Sequence, residues 1–230
     1  KQITFGKYDA DDFFWSPDSK SIVFTTLQVD EPYYEGDRAD IYRVSAAGGT
    51  AELVNNVKIG VGSMSLSPDG KRIAFHSSPN EPVQSYTEPD LYVLDLVPGA
   101  QPKNLTVDYD YGVGDGVGGD NGAPRAGGGT RPIWSSDGNS IIDVVAVTGR
   151  ANLMRFPVNT GKPVEITKGD HAVQRFSSRD GGKTIALLIS TPTIIGDLYT
   201  LNAAGGTEKR ITNVNEKLFS QLKLTEPEEI

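Results

Sequence analysis

Ser67-Pro68-Asp69-Gly70-Lys71-Arg72-Ile73-Ala74-Phe75, then Asp90-Leu91-Tyr92-Val93-Leu94, then Gly99 and Leu105-Thr106: this order of three signatures decides the fold. The first is a turn tetrapeptide followed by an apolar run. Serine opens a type I turn, proline is tolerated second, aspartate follows and glycine closes it. The second signature sets apolar residues at consecutive positions, so both faces of its strand are apolar. Such a strand needs cover from two sides. The third is a glycine turn, with the positive φ that hairpins use, leading to a short closing strand.

The same order recurs along the chain. Ser16-Pro17-Asp18-Ser19 precedes Ser21-Ile22-Val23-Phe24, and Ser135-Ser136-Asp137-Gly138 precedes Ser140-Ile141-Ile142-Asp143-Val144. Ser178-Arg179-Asp180-Gly181 precedes Thr184-Ile185-Ala186-Leu187. The second signature returns as Asp40-Ile41-Tyr42, Asn152-Leu153-Met154 and Asp197-Leu198-Tyr199. The third returns as Gly48-Gly49 to Leu53, Gly161 to Ile166-Thr167, and Gly205-Gly206 to Ile211-Thr212. The distance from the Asp/Asn position to the closing Leu/Ile is 13, 15, 14 and 14 residues, a spacing too regular for chance.

Each unit reads as a four-stranded antiparallel meander of about 40–50 residues, the size of a propeller blade. The predicted fold is therefore all-β: a β-propeller of four-stranded antiparallel blades, with about four present. A β-sandwich is the competing reading, but it does not demand three signatures in fixed order. The predicted blades are about 5–57, 58–107, 108–168 and 169–214, after an incomplete first blade at 1–4. Residues 215–230 are the expected closing strand and the start of a linker. Propellers close with 4–8 blades, so the chain reads as a piece of a larger one.

The 230 residues carry 22 Lys+Arg against 30 Asp+Glu, a formal net charge of −8. That balance argues against nucleic acid, whose phosphates need clustered cations, and gives no support for an anionic membrane surface. No apolar run approaches the ~18–20 residues that span a bilayer. Cysteine is absent, which excludes disulfides and thiolate metal sites. Cytoplasm and periplasm both stay open.

The order turn, Asp-Leu-Tyr, Gly-Gly, Leu-Thr resembles the propeller repeat of TolB and of the prolyl oligopeptidase family of serine peptidases. The C-terminal stretch, residues 205–215 and then Leu222-Lys223-Leu224-Thr225-Glu226-Pro227-Glu228-Glu229-Ile230, resembles a particular junction. There the propeller of an acylaminoacyl-peptidase-like enzyme hands over to its hydrolase domain. The resemblance implies a C-terminal α/β-hydrolase domain in the same polypeptide, with a Ser-Asp-His triad and a Gly-x-Ser-x-Gly elbow. It implies a propeller that caps the active site and admits only small peptide substrates. Gly-x-Ser-x-Gly occurs nowhere in this chain; Gly60-Val61-Gly62-Ser63 comes nearest and leads into a strand. No catalytic residue is therefore assigned, the chain alone is expected to be inert, and no cofactor is called for. A TolB-like protein-binding module without enzymatic activity is the alternative.

Gly112 to Gly129 holds nine glycines in 18 residues and interrupts the repeat. Asp108, Asp110, Asp115, Asp120 and Asn121 offer hard oxygen ligands there. Their spacing matches neither the EF-hand nor the glycine-rich calcium nonapeptide, so no metal is assigned. The segment reads either as a loop at a propeller mouth or as a surface insertion without a role. On the first reading Tyr109, Tyr111, Arg125 and Arg131 are substrate-gating candidates. Tyr33 and Tyr34, between the second and third strands of the first unit, join them. Tyr86 and Glu88 occupy the same place in the second unit. His76 and His171 have no His or Cys at ligand spacing and read as structural or solvent-exposed. Gly181-Gly182-Lys183-Thr184 mimics a phosphate loop, but Ser177 stands where that pattern needs glycine. Asn104-Leu105-Thr106 matches a glycosylation sequon on a closing strand, a chance match. Open blade edges leave room for an oligomer.

The repeated turn aspartates, Asp18, Asp69, Asp137 and Asp180, read as structural, because a carboxylate here can accept backbone N–H groups of its own turn. Asp69→Ala is expected to lower stability by about 1 kcal/mol without altering any chemistry. Denaturant midpoints paired with activity in the full-length parent check this: activity lost at unchanged stability contradicts it.

Overall fold

The computed structural model describes residues 2–35, 38–78, 87–118, 130–204 and 206–229. Its strands come in meanders of four. The first sheet runs in order through β1 (Asp11–Trp15), β2 (Ser21–Thr26), β3 (Ala39–Ser45) and β4 (Glu52–Val57), all antiparallel. The second runs through β5 (Gly62–Leu66), β6 (Arg72–Ser77), β7 (Asp90–Asp95) and β8 (Lys103–Asn104). Two further meanders follow: β9 (Ile133–Trp134), β10 (Ser140–Val147), β11 (Arg150–Pro157), β12 (Val164–Glu165), then β13 (Ala172–Ser177), β14 (Thr184–Thr191), β15 (Ile194–Asn202), β16 (Lys209–Arg210). A single parallel bridge, Ala151 to Ala172, fuses these last two into one eight-stranded sheet. A 3-10 turn (Pro32–Tyr34) and a four-residue helix α1 (Glu216–Phe219) complete the elements. The sheets stack without closing into a ring.

Alternation along each strand divides the core into three interfaces. From the second sheet, Ile73 and Phe75 of β6 and Tyr92 and Leu94 of β7 face the first, meeting Val23, Ile41 and Val57. The intervening residues Ala74, Leu91 and Val93 face the other way, onto Trp134, Ile141, Val145 and Phe156. Beyond these, Ile142, Val144 and Leu153 meet Val173, Ile185 and Leu187 of the last meander. Each central sheet is thus apolar on both faces because each has a neighbour on both.

Every Ser-x-Asp turn is closed by hydrogen bonds among its serine, its aspartate and the backbone that follows. Ser67 Oγ donates to Asp69 Oδ1 (2.6 Å), Lys71 N donates to that oxygen (3.1 Å), and Arg72 N donates to Ser67 Oγ (2.9 Å). The turns at Ser16 and Ser135 repeat the set. In the fourth turn, one residue longer, Thr184 N reaches Asp180 Oδ1 (2.9 Å) and Gly182 N reaches Ser178 Oγ (3.0 Å). These bonds hold the four carboxyls below their usual range, the serine hydroxyl first at Asp18, Asp69 and Asp137 and the Thr184 N–H first at Asp180. Gly70 sits at φ 71°, and a Cβ there would meet the Pro17 ring at 2.9 Å. Only glycine fits.

In three of the four meanders a second polar device ties the third strand to its closing strand. Thr106 Oγ1 donates to Asp90 Oδ1 (2.7 Å) and accepts from Leu91 N (3.0 Å). Thr167 Oγ1 serves Asn152 Oδ1 (2.9 Å) and Leu153 N (2.8 Å), and Thr212 Oγ1 serves Asp197 Oδ1 (2.7 Å) and Leu198 N (2.9 Å). The first sheet departs from this. A register shift between Ile41 and Tyr42 pairs Tyr42 with Leu53, so Leu53 is 51% exposed and Val54 packs on the core instead. Spacing aligns Leu53 with the buried Leu105; the bulge moves it out by one position. Asn55 turns to the second sheet, donating to the carbonyls of Val97 (2.9 Å) and Ala100 (3.2 Å). Asp40 Oδ1 stays buried without a partner, and burial raises that carboxyl's pKa.

Thr106→Val is expected to destabilise by about 1–3 kcal/mol, since a buried acceptor and donor both lose their partner. Thr106→Ser restores most of this. Asp40→Asn is expected to be neutral or stabilising, because its carboxylate gains little where it sits. Urea midpoints of the three variants check the contrast.

Candidate functional site

An antiparallel meander sends alternate connections to opposite ends of the sheet. The Ser-x-Asp turns and the glycine turns share one end. The links between second and third strands, and those between meanders, share the other. The four turn aspartates therefore sit away from the loop-bearing end. Tyr33 and Tyr34 lie on the 3-10 turn between β2 and β3, 72% and 77% exposed, their rings 4.6 Å apart. Tyr109 and Tyr111 lie between β8 and β9 with rings 5.6 Å apart. Tyr109 is half-buried edge-on against Phe156 (6.2 Å), and burial raises its pKa. Tyr111 stays open to solvent.

Arg131 precedes β9 and reaches the first strands of two other meanders. Its guanidinium donates to the Phe13 carbonyl (2.9 Å), the Met64 carbonyl (3.3 Å) and the Asp12 carboxylate. Asp12 in turn accepts from Met64 N. One side chain thus binds β1, β5 and the entry to β9 beside a cavity of about 880 Å³ lined by Trp134 and Phe176. Arg125 and Tyr86 lie outside the described residues, as do Asp120 and Asn121. Among the described residues no group of three or more His, Asp or Glu could hold a metal ion.

Two groups that bear on this end are brought together only by the tertiary structure. His76 and Asp143 face each other across the second interface, Nε2 to Oδ2 at 2.6 Å, with Asp143 fully buried. Strand alternation places them there, on the faces shared with Ala74 and Ile141. Burial alone lowers the pKa of His76, but the charges of Asp143 and Asp115 and the hydrogen bond to Asp143 outweigh it, so the net shift is upward. Burial and Glu88 raise Asp115. The first residues of the glycine-rich segment pack on this pair. Val113 bridges to Val145, Gly114 N donates to the Val144 carbonyl (2.8 Å), and a Cβ at Gly114 would lie 2.3 Å from His76 Cε1. The pair is 67 residues apart in sequence. Its one local signal is an aspartate inside the apolar run Ile141-Ile142-Asp143-Val144-Val145.

The second such group is Arg150, between cavities of about 710 and 550 Å³ at the loop-bearing end. It binds Asp170 through Nε (2.5 Å) and Glu229 through both terminal nitrogens. His171 lines the larger cavity, with Nε2 buried and lacking a hydrogen-bond partner, and burial lowers its pKa.

No family model matches the chain. Dipeptidyl-peptidase 5 of Porphyromonas gingivalis is 25% identical over 215 residues, which is 92% of this chain and 28% of that protein. The chain therefore spans less than a third of the curated relative it matches. Among solved structures, an acylaminoacyl peptidase complexed with Z-Gly-Gly-Phe-chloromethyl ketone superposes with a TM-score of 0.61 at 23% identity, over 94% of this chain and 29% of that one. The β-propeller domain of the trilobed protease from Pyrococcus furiosus gives 0.58 at 22%, over 92% and 54%. TolB from Acinetobacter baumannii gives 0.59 at 23%, over 89% and 43%. The fold is that of a β-propeller segment, and the chain is similar to the propellers of peptidases and of TolB. Among the described residues no helix is long and apolar enough to cross a membrane.

A histidine with a raised pKa adds stability that is fully present below its unfolded value, about 6.5, and lost as pH rises through the folded value. Wild-type stability is accordingly expected to fall relative to His76→Gln as the pH climbs above about 6.5. Urea midpoints of both proteins across that range check it; parallel curves contradict it.

Proposed function

We propose that this chain is a substrate-gating segment of the propeller of a serine peptidase that hydrolyses short peptides, acylaminoacyl- or dipeptidyl-peptidase-like, and carries none of the catalytic triad. The observation that carries this reading is the similarity to dipeptidyl-peptidase 5 along 92% of the chain. Residues 5–57, 58–107, 108–168 and 169–214 are then successive blades of a larger ring. The chemistry, acyl transfer through a serine nucleophile, belongs to an α/β-hydrolase domain of the same polypeptide. Peptide substrates pass the loop-bearing end, where Tyr33, Tyr34, Tyr109 and Tyr111 present aromatic surface and where the chain runs after Arg210. Arg131 serves the gate by holding three meanders together at their first strands. Arg125 remains a candidate contact. Phe13 and Trp15, 59% and 53% exposed on β1, give the surface against which a further blade or a second copy packs.

A TolB-like protein-binding module without activity is the second reading, favoured by a superposition on TolB nearly as good as that on the peptidase (0.59 against 0.61). The product of the complete gene separates the two. A product at least about twice as large, cleaving acyl- or dipeptidyl-chromogenic peptides and blocked by a serine-directed inhibitor, is expected. A product inert toward such peptides overturns the peptidase reading.

A further inference from the structure

We propose that the cavity between the last two meanders binds the carboxylate end of an N-acylated amino acid or short peptide, with Arg150 as its anchor and Glu229 as the internal group that the ligand displaces. Arg150 opens β11 directly after the Thr148-Gly149 hairpin turn. Its Nη1 and Nη2 hold Glu229 Oε1 and Oε2 at 3.1 and 2.6 Å. This two-pronged fit is the one by which a guanidinium recognises any carboxylate, side chain or chain terminus alike.

Glu229 is suited to exchange. Its side chain is 73% exposed and its segment belongs to no helix or strand. An exposed ion pair of this kind holds weakly against a competing carboxylate. Exchange also leaves the charge of the cavity unchanged, so the neighbouring Asp170 and Glu228 repel the incoming group no more than they repel Glu229. The segment remains fastened further back, where Thr193 Oγ1 donates to Glu226 Oε1 (2.7 Å). Exchange asks only that the exposed Glu229 side chain swing away from Arg150.

The cavity can hold more than a carboxylate. Its volume of about 710 Å³ lies in the range of small-molecule sites, about 300–1,000 Å³. Val117, Ala172 and Pro192 supply apolar wall for an acyl group or side chain. His171 also lines the cavity, its Nε2 buried behind the surface. The choice of an acylated amino acid or peptide rests on the peptidase-associated reading; the carboxylate anchor rests on Arg150 alone.

Isothermal titration calorimetry with hippurate, a benzoylated glycine ending in a free carboxylate, and with its amide hippuramide tests this. Hippurate is expected to bind about ten-fold or more tighter than hippuramide, since the amide cannot replace the charged two-pronged pair. Glu229→Gln removes the competitor and is expected to tighten hippurate binding severalfold. Arg150→Gln is expected to abolish the preference for acid over amide. Glu229→Gln alters only an exposed side chain, so it keeps the test decisive if Arg150→Gln misfolds. Equal affinities for acid and amide, no binding of either, or no gain in Glu229→Gln overturns the anchor, whatever the peptidase assay gives. Hippurate binding by a protein inert toward peptides keeps the anchor and overturns the peptidase reading instead.

Discussion

A sheet with two apolar faces is stable only if something apolar lies against each of them. That constraint governs this protein. Successive residues of β6, β7 and β10 point to opposite neighbours, and most of them are buried. One meander cannot satisfy this alone, since burying both faces of a four-stranded sheet takes a sheet on either side. Stacking is therefore obligatory, and the polar groups are arranged so that stacking does not strand them. The outer face of the first sheet, with Phe13 and Trp15 open, shows what the same pattern looks like without a neighbour.

Within that stack, the few buried polar side chains mark where strands are fixed in register. Thr106 and Thr167 are buried and Thr212 half-buried, each between a carboxylate or amide oxygen and a backbone N–H. A hydroxyl fits because it donates and accepts at once. In the first sheet the bulge at Ile41 takes the equivalent position out of reach, and Asp40 is left with an orphan oxygen. The His76–Asp143 pair differs again. It joins two meanders rather than two strands, and it fixes the start of the glycine-rich segment against them.

The two ends of the stack have different characters for a topological reason. The Ser-x-Asp turns are short and internally hydrogen-bonded. The opposite end carries the longer links, and with them the tyrosine pairs and the Arg150 cluster. Side chains from different meanders converge on open space there, as they also do beside the Ser-x-Asp turns in the cavity lined by Trp134 and Phe176.

The sequence by itself determined the strand order within each meander, the turn chemistry and the two-faced burial, because these depend on contacts only a few residues apart. Ser67, Asp69 and Arg72 must meet in a tight turn, and Leu91 and Tyr92 must face opposite ways. The Asp90–Thr106 link was half legible: both residues recur at steady spacing, but their meeting depends on strand register, as the bulge beside Leu53 demonstrates. The tertiary structure alone decided that Arg131 grips Asp12, that His76 meets Asp143, and that Glu229 folds back onto Arg150. Those partners lie 119, 67 and 79 residues apart, and their pairing is set by which sheet packs on which face. No spacing rule along the chain encodes that, since the distance between partners depends on every loop length between them.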